Sequence, residues 1–521
     1  MTFDLDTLVF ASFLIFNLVF GLSSGQGIKT VKDYAVGGRN FTTATLVATI
    51  VSTWISGDFF FSIITEAYIR GLSSIWTSVL GEFLCVLAVG IFCAEAMGDL
   101  YGNKVRIITA ISGLIGVIGI ISVQLRIGGM VIQCIADIDY HYGIIIAGLI
   151  ITFYSAFGGV RSVTFTDVIQ LFTFGAVVPS LAYYLLESTD TNVSIIDNLS
   201  RNPLFDYKET FNLSNVNTYY NISLFLFFVL PSFNPAIFQR IAMSKNVNQV
   251  IYSFSIASIA VLILSILINW IGVLLITQYP GADLKNILSV VVNSKLAIIG
   301  FKGLILSGIM AMVMSTVDSF INSSSILLVH DLGQSLKIKF FKNELTTTRI
   351  GAMFIGTLSI LFSMSDGRFM QLFIWANMFY MPVVSVPFIM TIFGFRTSGK
   401  SVLIAMCAGF CAVILWENFI KVGEIDGLIP GMFTNLVTLI SSHYILKQPG
   451  GWVGIKNIEE YLAIKKNREE KCQNLKKEFL SFNLLRACKK NVPQGEGVIS
   501  MLNYLDSKYF SAKEYKSFSN I

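Results

Sequence analysis

The sequence predicts an all-α protein that crosses a lipid bilayer about thirteen times. Hydrophobic residues make up 54% of the 521 positions and charged residues only 13%, whereas soluble domains carry about 25% charged residues. Apolar stretches of about 20 residues, the length that a helix needs to cross the hydrocarbon core, recur from the N-terminus to residue 446. We therefore expect a polytopic transmembrane domain over residues 1–446 and a basic cytoplasmic tail, helical in part, over residues 447–521.

The predicted spans follow one another with mostly short connections. In chain order they are 7–23, 42–69, 72–96, 105–135, 143–158, 164–186, 220–243, 248–277, 297–329, 347–364, 369–394, 401–420 and 427–446. Acidic rather than basic residues precede the first span, so no cleavable signal peptide is expected.

Two of these spans contain residues that interrupt a helix. The polar or helix-weakening positions in the second and the seventh span are Ser52, Thr53, Ser56, Gly57, Asp58, Pro231, Asn234 and Pro235. Proline removes a backbone donor and clashes with the preceding turn, so both segments are expected to unwind inside the bilayer. Broken helices at corresponding positions of two halves indicate a transporter binding site.

The positions of the two breaks also predict a repeat. When the first span is set aside, the breaks fall in the first and the sixth of the next ten spans. This offset predicts two inverted five-helix repeats, about 42–186 and about 220–394, with one extra helix before them and two after them.

A cluster of polar residues lies halfway along the apolar stretch 303–332. It consists of Ser315, Thr316 and Asp318. Because lipid offers such groups no solvation, polar and ionisable residues inside a span indicate an ion or substrate pathway.

The distribution of lysine and arginine predicts the orientation. With the N-terminus outside, the inner loops carry fourteen of these residues, the outer loops seven, and the tail another fourteen on the inside. Positive charge accumulates in cytoplasmic loops. The N-terminus is therefore expected outside the membrane and the C-terminus in the cytoplasm.

Several other functions lack support in the sequence. The seven cysteines form no CxxC pair, and the three histidines are scattered near segment ends, so neither a disulfide nor a metal-ligand pattern is expected. Nothing resembles a catalytic constellation, an organic-cofactor motif or a nucleic-acid-binding motif. The expected partners are the lipid bilayer and a small-molecule solute.

Two motifs resemble those of the sodium:solute symporter family, which includes the bacterial sodium/proline and sodium/pantothenate symporters. YSAFGGVRSVTFTDVIQ, residues 154–170, is similar to the family signature, and AMVMSTVDSFINSSSILLVHDL, residues 311–332, is similar to the eighth core helix. MGDLYGNKVRIITAISGLIG, residues 97–116, is a weaker match. The resemblance implies a leucine-transporter-like fold and places the whole of 1–446 in the transporter.

The resemblance also implies a sodium site between core helices 1 and 8. The ligands implied by the motif match are the hydroxyls of Ser315 and Thr316 and the backbone carbonyls of Ser52, Ile55 and Met312. Sodium prefers oxygen ligands, and a broken helix supplies free carbonyls. Asp167 resembles the family aspartate near the inner exit of the cation path, and a helix N-cap is an equally weighted alternative for it.

The candidate solute-binding residues cluster around the two breaks and on the tenth core helix. They are Trp54, Ser56, Gly57, Asp58, Arg126, Phe233, Asn234, Trp375, Asn377 and Tyr380. Sodium/proline symporters carry Asp-Met-Ser-Gly where this chain has Trp-Ile-Ser-Gly, which puts proline in doubt as the solute. Arg126 is expected to pair with Asp58 or Asp318, either as a structural ion pair or beside an anionic solute group, because an unpaired charge in hydrocarbon costs at least a few kcal/mol.

The implied function is secondary active symport, not enzymatic catalysis. An inward sodium gradient would drive uptake of a small organic solute, such as an amino acid like proline or a carboxylate like pantothenate, across a bacterial inner membrane. Proton coupling through Asp58 or Asp318 is one alternative. A transport-derived sensor that signals through the tail is another.

Overall fold

A computed structural model describes most of the chain outside the tail. The described residues are 4–92, 103–187, 195–212, 214–231, 233–281, 299–333, 335–336, 343–365, 380–420, 427–448 and 451–452. Of the tail, only residues 447–448 and 451–452 are described, so its predicted helix lies outside the described residues.

The described chain is almost entirely helical. Its α-helices are α1 (Leu5–Ser24), α2 (Val31–Val36), α3 (Thr43–Trp54), α4 (Gly57–Arg70), α5 (Leu80–Phe92), α6 (Asn103–Ala136), α7 (Tyr140–Glu187), α8 (Ile195–Arg201), α9 (Tyr207–Thr210), α10 (Val216–Val229), α11 (Pro235–Met243), α12 (Val247–Gln278), α13 (Phe301–Ile326), α14 (Glu344–Ser363), α15 (Val386–Ile392), α16 (Gly399–Leu415) and α17 (Leu428–Ile445). Short π-helical segments, which are wider than an α-helix, lie directly before α5 and before α15. Two others lie directly after α13 and after α16.

Among the described residues, seven helices are long and apolar enough to cross a membrane, and a bent pair adds an eighth. Each of them overlaps a predicted span, and α7 overlaps two. The remaining predicted spans correspond to shorter helices or include residues outside the described ranges. The count of thirteen and the inverted repeat therefore stay predictions.

The helix break predicted in the second span is confirmed. The axes of α3 and α4 differ by 60°, and only two residues, Ile55 and Ser56, separate the helices. Ser56 caps α4, because its hydroxyl oxygen accepts from the backbone N–H of Phe59 at 3.3 Å. A cap of this kind satisfies a backbone donor that lipid cannot.

The break in the seventh span is confirmed as well. Helix α10 ends at Val229 and α11 begins at Pro235. The side chain of Asn234 caps α11 by accepting from the backbone N–H of Ile237 at 3.0 Å. Proline at the first helical position costs no hydrogen bond, since that donor has no partner within the helix.

Two predicted spans, 143–158 and 164–186, both lie in α7, and the backbone between them leaves the helical conformation at Gly159. Gly159 has φ of 56°, and an added Cβ would lie 2.8 Å from the Tyr34 ring. Glycine is needed here because the left-handed conformation and the close ring both exclude a side chain. The Gly-Gly pair therefore separates two helical segments of α7, one on each side of Gly159.

Helix α13 lies at the centre of the bundle. In the most apolar stretch of 18 residues of α13 and the turn after it, 94% is buried, whereas the corresponding share for α1 is 17%. Helix α13 packs against α7, α6, α3 and α11. This packing buries the polar groups of α13 among both broken helices.

The described residues 393–396 and 451–452 belong to a second unit. Within it, β1 (Phe395–Arg396) pairs antiparallel with β2 (Gly451–Trp452), and Phe395 lies opposite Trp452. Their rings contact edge to face, with centroids 5.3 Å apart.

The close packing of α13 against α7 predicts that adding one methyl group at Gly308 lowers the stability of the protein. In Gly308→Ala the new Cβ would lie 2.7 Å from the Val177 side chain. Overpacking of this kind costs about 1–3 kcal/mol, so thermal unfolding of the purified protein is expected at a lower temperature. Gly175→Ala, where an added Cβ meets nothing within 4 Å, is the matched control and is expected to leave the unfolding temperature unchanged or raised. Equal effects of the two substitutions would contradict this packing.

Candidate ion and solute site

The Ser315 hydroxyl joins α13 to the broken helix α3. It donates to the Ser52 carbonyl at 2.8 Å and lies 3.0 Å from the Met312 carbonyl. The Thr316 hydroxyl donates to the same Met312 carbonyl at 3.1 Å. The structure thus brings four of the predicted sodium ligands together, at positions that are at most 2% exposed.

Ile55, the fifth predicted ligand, lies directly at the break. It is fully buried, and its φ of −79° and ψ of 82° take the chain out of the helix. Its N–H still bonds to the Val51 carbonyl at 2.8 Å. The carbonyls of a last helical turn have no partner within their own helix, so the break presents backbone oxygens toward its surroundings.

Asp167 lies beside this junction, on α7. Its carbonyl accepts from the Ser52 hydroxyl at 2.8 Å. Its carboxylate accepts from the Thr49 hydroxyl and from Arg240 Nη2, the latter at 3.3 Å. The N-cap alternative for Asp167 is wrong, because α7 continues without a break from the kink at Gly159 through this position.

Arg240 is a site residue that sequence reasoning missed. Its guanidinium is 2% exposed and donates to Thr53 Oγ1 at 2.9 Å and to Ser319 Oγ, in addition to Asp167. In the prediction of orientation, Arg240 is one of the fourteen lysine and arginine residues assigned to the inner loops. Its place within the predicted span 220–243 and beside the second break was the available signal, since an intramembrane charge needs a partner.

Asp318 completes the buried cluster. Its carboxylate accepts from the Tyr154 hydroxyl at 2.8 Å and lies 3.4 Å from the hydroxyls of Thr166 and Ser319. Together, Asp167, Asp318 and Arg240 place two acidic groups and one basic group within the protein core. When all three are ionised, this cluster has one negative charge in excess.

The structure does not bring Arg126 together with Asp58 or Asp318. The Arg126 guanidinium instead donates to the backbone carbonyls of Ser363, at 2.8 Å, and Ser365. These carbonyls end α14, where a cation is favoured by the helix dipole. The expected ion pair is therefore corrected: Arg126 contacts carbonyls at the end of α14 and forms no ion pair with Asp58 or Asp318.

The first break carries two polar partners that the sequence analysis also missed. Trp54 Nε1 donates to Glu82 at 2.6 Å. Gln124 accepts from the Gly57 N–H at 3.1 Å and donates to Asp58, which also accepts from the Ser56 hydroxyl. An acidic residue in the apolar segment 72–96 was a usable signal for Glu82. Gln124 had none, because a buried glutamine in a helix is uninformative without its neighbours.

The candidate residues at the second break have structural roles here. Phe233 is 2% exposed and packs against the rings of Phe238 and Phe388. The Tyr380 hydroxyl donates to the Phe233 carbonyl at 2.6 Å, and Asn234 caps α11. Trp375 and Asn377 lie outside the described residues.

The fold and the polar junction between a broken and a continuous helix define a membrane transporter. Comparison with known families agrees: the model of the sodium:solute symporter family matches residues 34–409. Because this match covers more than half of the chain, the chain belongs to the sodium:solute symporter family. Membership makes it a transport protein and supports sodium-coupled solute symport as its activity.

Individual relatives are similar along most of their length. The sodium/pantothenate symporter of Escherichia coli is 23% identical over 81% of this chain and 93% of its own. The high-affinity proline transporter of Bacillus subtilis is 21% identical over 83% and 96%, respectively. A solved structure of a Na+-coupled sialic acid symporter in a substrate-bound outward-open state is similar in fold, with a TM-score of 0.74, 18% identity, and coverage of 85% of this chain and 98% of its own.

The buried pair of Arg240 and Asp167 predicts a large stability effect. In Arg240→Gln, a buried carboxylate loses its charged partner, which costs about 3–5 kcal/mol. Thermal unfolding of the purified protein is expected at a clearly lower temperature, and adding Asp167→Asn is expected to recover part of the loss. Lys245→Gln, which removes an exposed cation just beyond the same helix, is the control. A similar loss in both single variants would contradict the pairing.

Proposed function

We propose that this protein is a secondary active symporter that uses an inward sodium gradient to drive uptake of a small organic solute by alternating access. The single observation that carries the proposal is the Ser315 hydroxyl, which links the broken helix α3 to the continuous helix α13. Family membership supports the same activity. The two relatives described above are named for pantothenate, a carboxylate, and for proline, an amino acid, so these solutes are among those to test.

The proposed sodium ligands are five oxygens at this junction. They are the backbone carbonyls of Ser52, Ile55 and Met312 and the hydroxyls of Ser315 and Thr316. Carbonyl and hydroxyl oxygens suit a hard cation, and no full negative charge has to be buried with it. A sodium ion would bind lone pairs of all five oxygens, and the hydroxyls of Ser315 and Thr316 would keep their protons and turn them away from the Ser52 and Met312 carbonyls.

Sodium binding at this place would couple the two helices. An ion shared by α3 and α13 stabilises the arrangement in which the two helices meet. The solute pocket at the break is then already formed, so the solute binds more tightly with sodium and, by reciprocity, sodium binds more tightly with the solute. The membrane potential adds about 2.3 kcal/mol per charge per 100 mV to the driving force.

Asp167 is proposed to lie on the path by which sodium leaves toward the inner side. The hydroxyl of Ser52, one of the proposed ligands, donates to the Asp167 carbonyl. Carboxylate atom Oδ1 of Asp167 is buried and has no hydrogen-bond partner among the described residues. The excess negative charge of the cluster favours a passing cation, because opposite charges attract strongly where water is excluded.

The proposed cellular setting follows the charge distribution. The protein would lie in a bacterial inner membrane with the N-terminus outside and the C-terminus in the cytoplasm.

Proton coupling is the alternative that Asp318 favours, since this carboxylate is fully buried and accepts a hydrogen bond from the Tyr154 hydroxyl.

Replacing both hydroxyls tests the sodium site directly. The double variant Ser315→Ala with Thr316→Ala is expected to lose sodium-dependent uptake into proteoliposomes and the sodium-induced rise in unfolding temperature, measured against potassium. Two of the five proposed ligands are then missing, while the protein still inserts. Ser324→Ala is the matched control, because this buried hydroxyl bonds only within its own helix.

The outcomes separate the two coupling ions. If sodium still stabilises the double variant and still drives its uptake, the sodium site is assigned wrongly. If a pH gradient alone drives uptake and Asp318→Asn abolishes it, the protein is proton-coupled.

A further inference from the structure

The short helix α2 packs against three long helices, on the side of the protein that is proposed to face the cytoplasm. Its Tyr34 side chain is fully buried, and the hydroxyl donates to the Ser155 carbonyl on α7 at 3.4 Å. The same side chain belongs to a hydrophobic cluster with Leu345 on α14, and its hydroxyl also interacts with Ser325 on α13. Tyr34 therefore anchors α2 to α7, α13 and α14.

Helix α2 is also bonded to the second broken helix. The buried Gln239 amide on α11 donates from Nε2 to the Ala35 carbonyl on α2 at 2.8 Å and to Asn322 Oδ1 on α13 at 2.6 Å. Helix α2 thus crosses the boundary between the half-helix α11 and the long helices. Any movement of α11 against those helices has to break the bond to Ala35 or take α2 with it.

Gln239 connects α2 to the buried charged cluster as well. Its Oε1 accepts from Arg240 Nη1 at 3.1 Å, and Arg240 Nη2 bonds to the Asp167 carboxylate. The Asp167 carbonyl in turn accepts from the Ser52 hydroxyl. A continuous series of hydrogen bonds therefore joins the Ala35 carbonyl to Ser52, whose own carbonyl is a proposed sodium ligand.

The connections on both sides of α2 turn at glycines. Gly27 and Gly38 have φ of 86° and 72°, which glycine adopts without strain. A Cβ added at Gly27 would meet nothing within 4 Å, and one added at Gly38 would meet its nearest atom at 3.5 Å. Packing does not fix these two turns, so rotation at both would lift α2 as one piece. A few residues at the ends of an element commonly serve as hinges in this way.

We propose that α2 is an inner lid of the ion path, seated by Tyr34, and that Gln239 is the positioning residue that couples this lid to the ion junction. The inference rests on the proposed symport function and adds a step of sodium release to it. Sodium at the junction holds α3 against α13, which keeps Arg240 on Asp167 and the Gln239 amide on α2. After sodium leaves, Arg240 and Gln239 change partners and the lid lifts. Bound sodium and the closed lid therefore stabilise each other.

Lid opening can be measured by the reactivity of a cysteine at residue 31. Val31 packs against the buried cluster that contains Tyr34 and Leu345, so the thiol of Val31→Cys is exposed to N-ethylmaleimide when α2 lifts. The purified full chain is labelled in sodium and in potassium buffer. Mass spectrometry quantifies the peptide that contains residue 31, so the native cysteines do not contribute.

Labelling of Val31→Cys is expected to be slower in sodium by about 5-fold or more, the lower end of typical coupling between two sites. Lys32→Cys, at an exposed position of the same helix, is the control and is expected to react equally fast in both buffers. The sodium-induced rise in unfolding temperature is measured on the same samples.

Two variants in the Val31→Cys background separate the seat of the lid from its coupling. Tyr34→Phe removes only a hydroxyl and is expected to speed labelling by about 2- to 10-fold in both buffers, the effect of one net hydrogen bond. Gln239→Met keeps the length of the side chain without its amide and is expected to bring the two rates together. Tyr68→Phe, whose hydroxyl donates to the Tyr279 carbonyl, is the matched control and is expected to change neither rate.

The outcomes separate the lid from the proposed function. If sodium raises the unfolding temperature but Val31→Cys reacts at the same rate in both buffers, the lid is wrong and sodium symport stands. An unchanged rate in Tyr34→Phe also overturns the lid, and this variant keeps the test available if Gln239→Met does not fold. An unchanged ratio of the two rates in folded Gln239→Met overturns the coupling. If sodium neither stabilises the wild-type protein nor drives uptake, sodium symport is wrong and the lid inference is wrong with it.

Discussion

A helix that ends and restarts inside the bilayer is the constraint on which the rest of this structure depends. Lipid provides no hydrogen-bond partners, so every backbone group freed at such a break must find one within the protein. Between α3 and α4, the Ser56 hydroxyl oxygen and the Gln124 amide oxygen accept hydrogen bonds from backbone N–H groups. The Ser315 hydroxyl donates a hydrogen bond to the Ser52 carbonyl. The polar residues that satisfy the broken backbone are thus the same residues that form the proposed binding sites.

The two ends of the break have different chemistry. The end of α3 presents carbonyl oxygens to α13, and this suits an inorganic cation. The start of α4 would attract an anion, but Asp58 supplies that charge from within the chain. With Glu82 close by, this end becomes acidic. The break therefore combines neutral carbonyl and hydroxyl oxygens at one end with two carboxylates near the other.

A second set of contacts joins the other break to the same junction. Arg240 extends from α11 to Asp167 on α7 and to Thr53 on α3. The Gln239 amide on α11 donates to Asn322 on α13 at 2.6 Å. Both broken helices are therefore tied to the central pair of α7 and α13 by buried polar groups, and a shift of one half-helix changes the partners of the others.

The sequence by itself determined where the helices lie and where they break, because both depend on neighbouring residues. The length of each apolar stretch and single residues such as Gly57 and Pro235 act on the adjacent part of the chain. Only the tertiary structure decided which charged groups meet. Thr49, Asp167 and Arg240 are far apart in the chain, and whether Arg126 faces Asp58 or the end of α14 depends on the rotation of one helix against its neighbours. For that reason the family motifs in the sequence led to a proposed ion site, which stays a prediction, whereas Arg240, Glu82 and Gln124 were missed and Arg126 was misassigned.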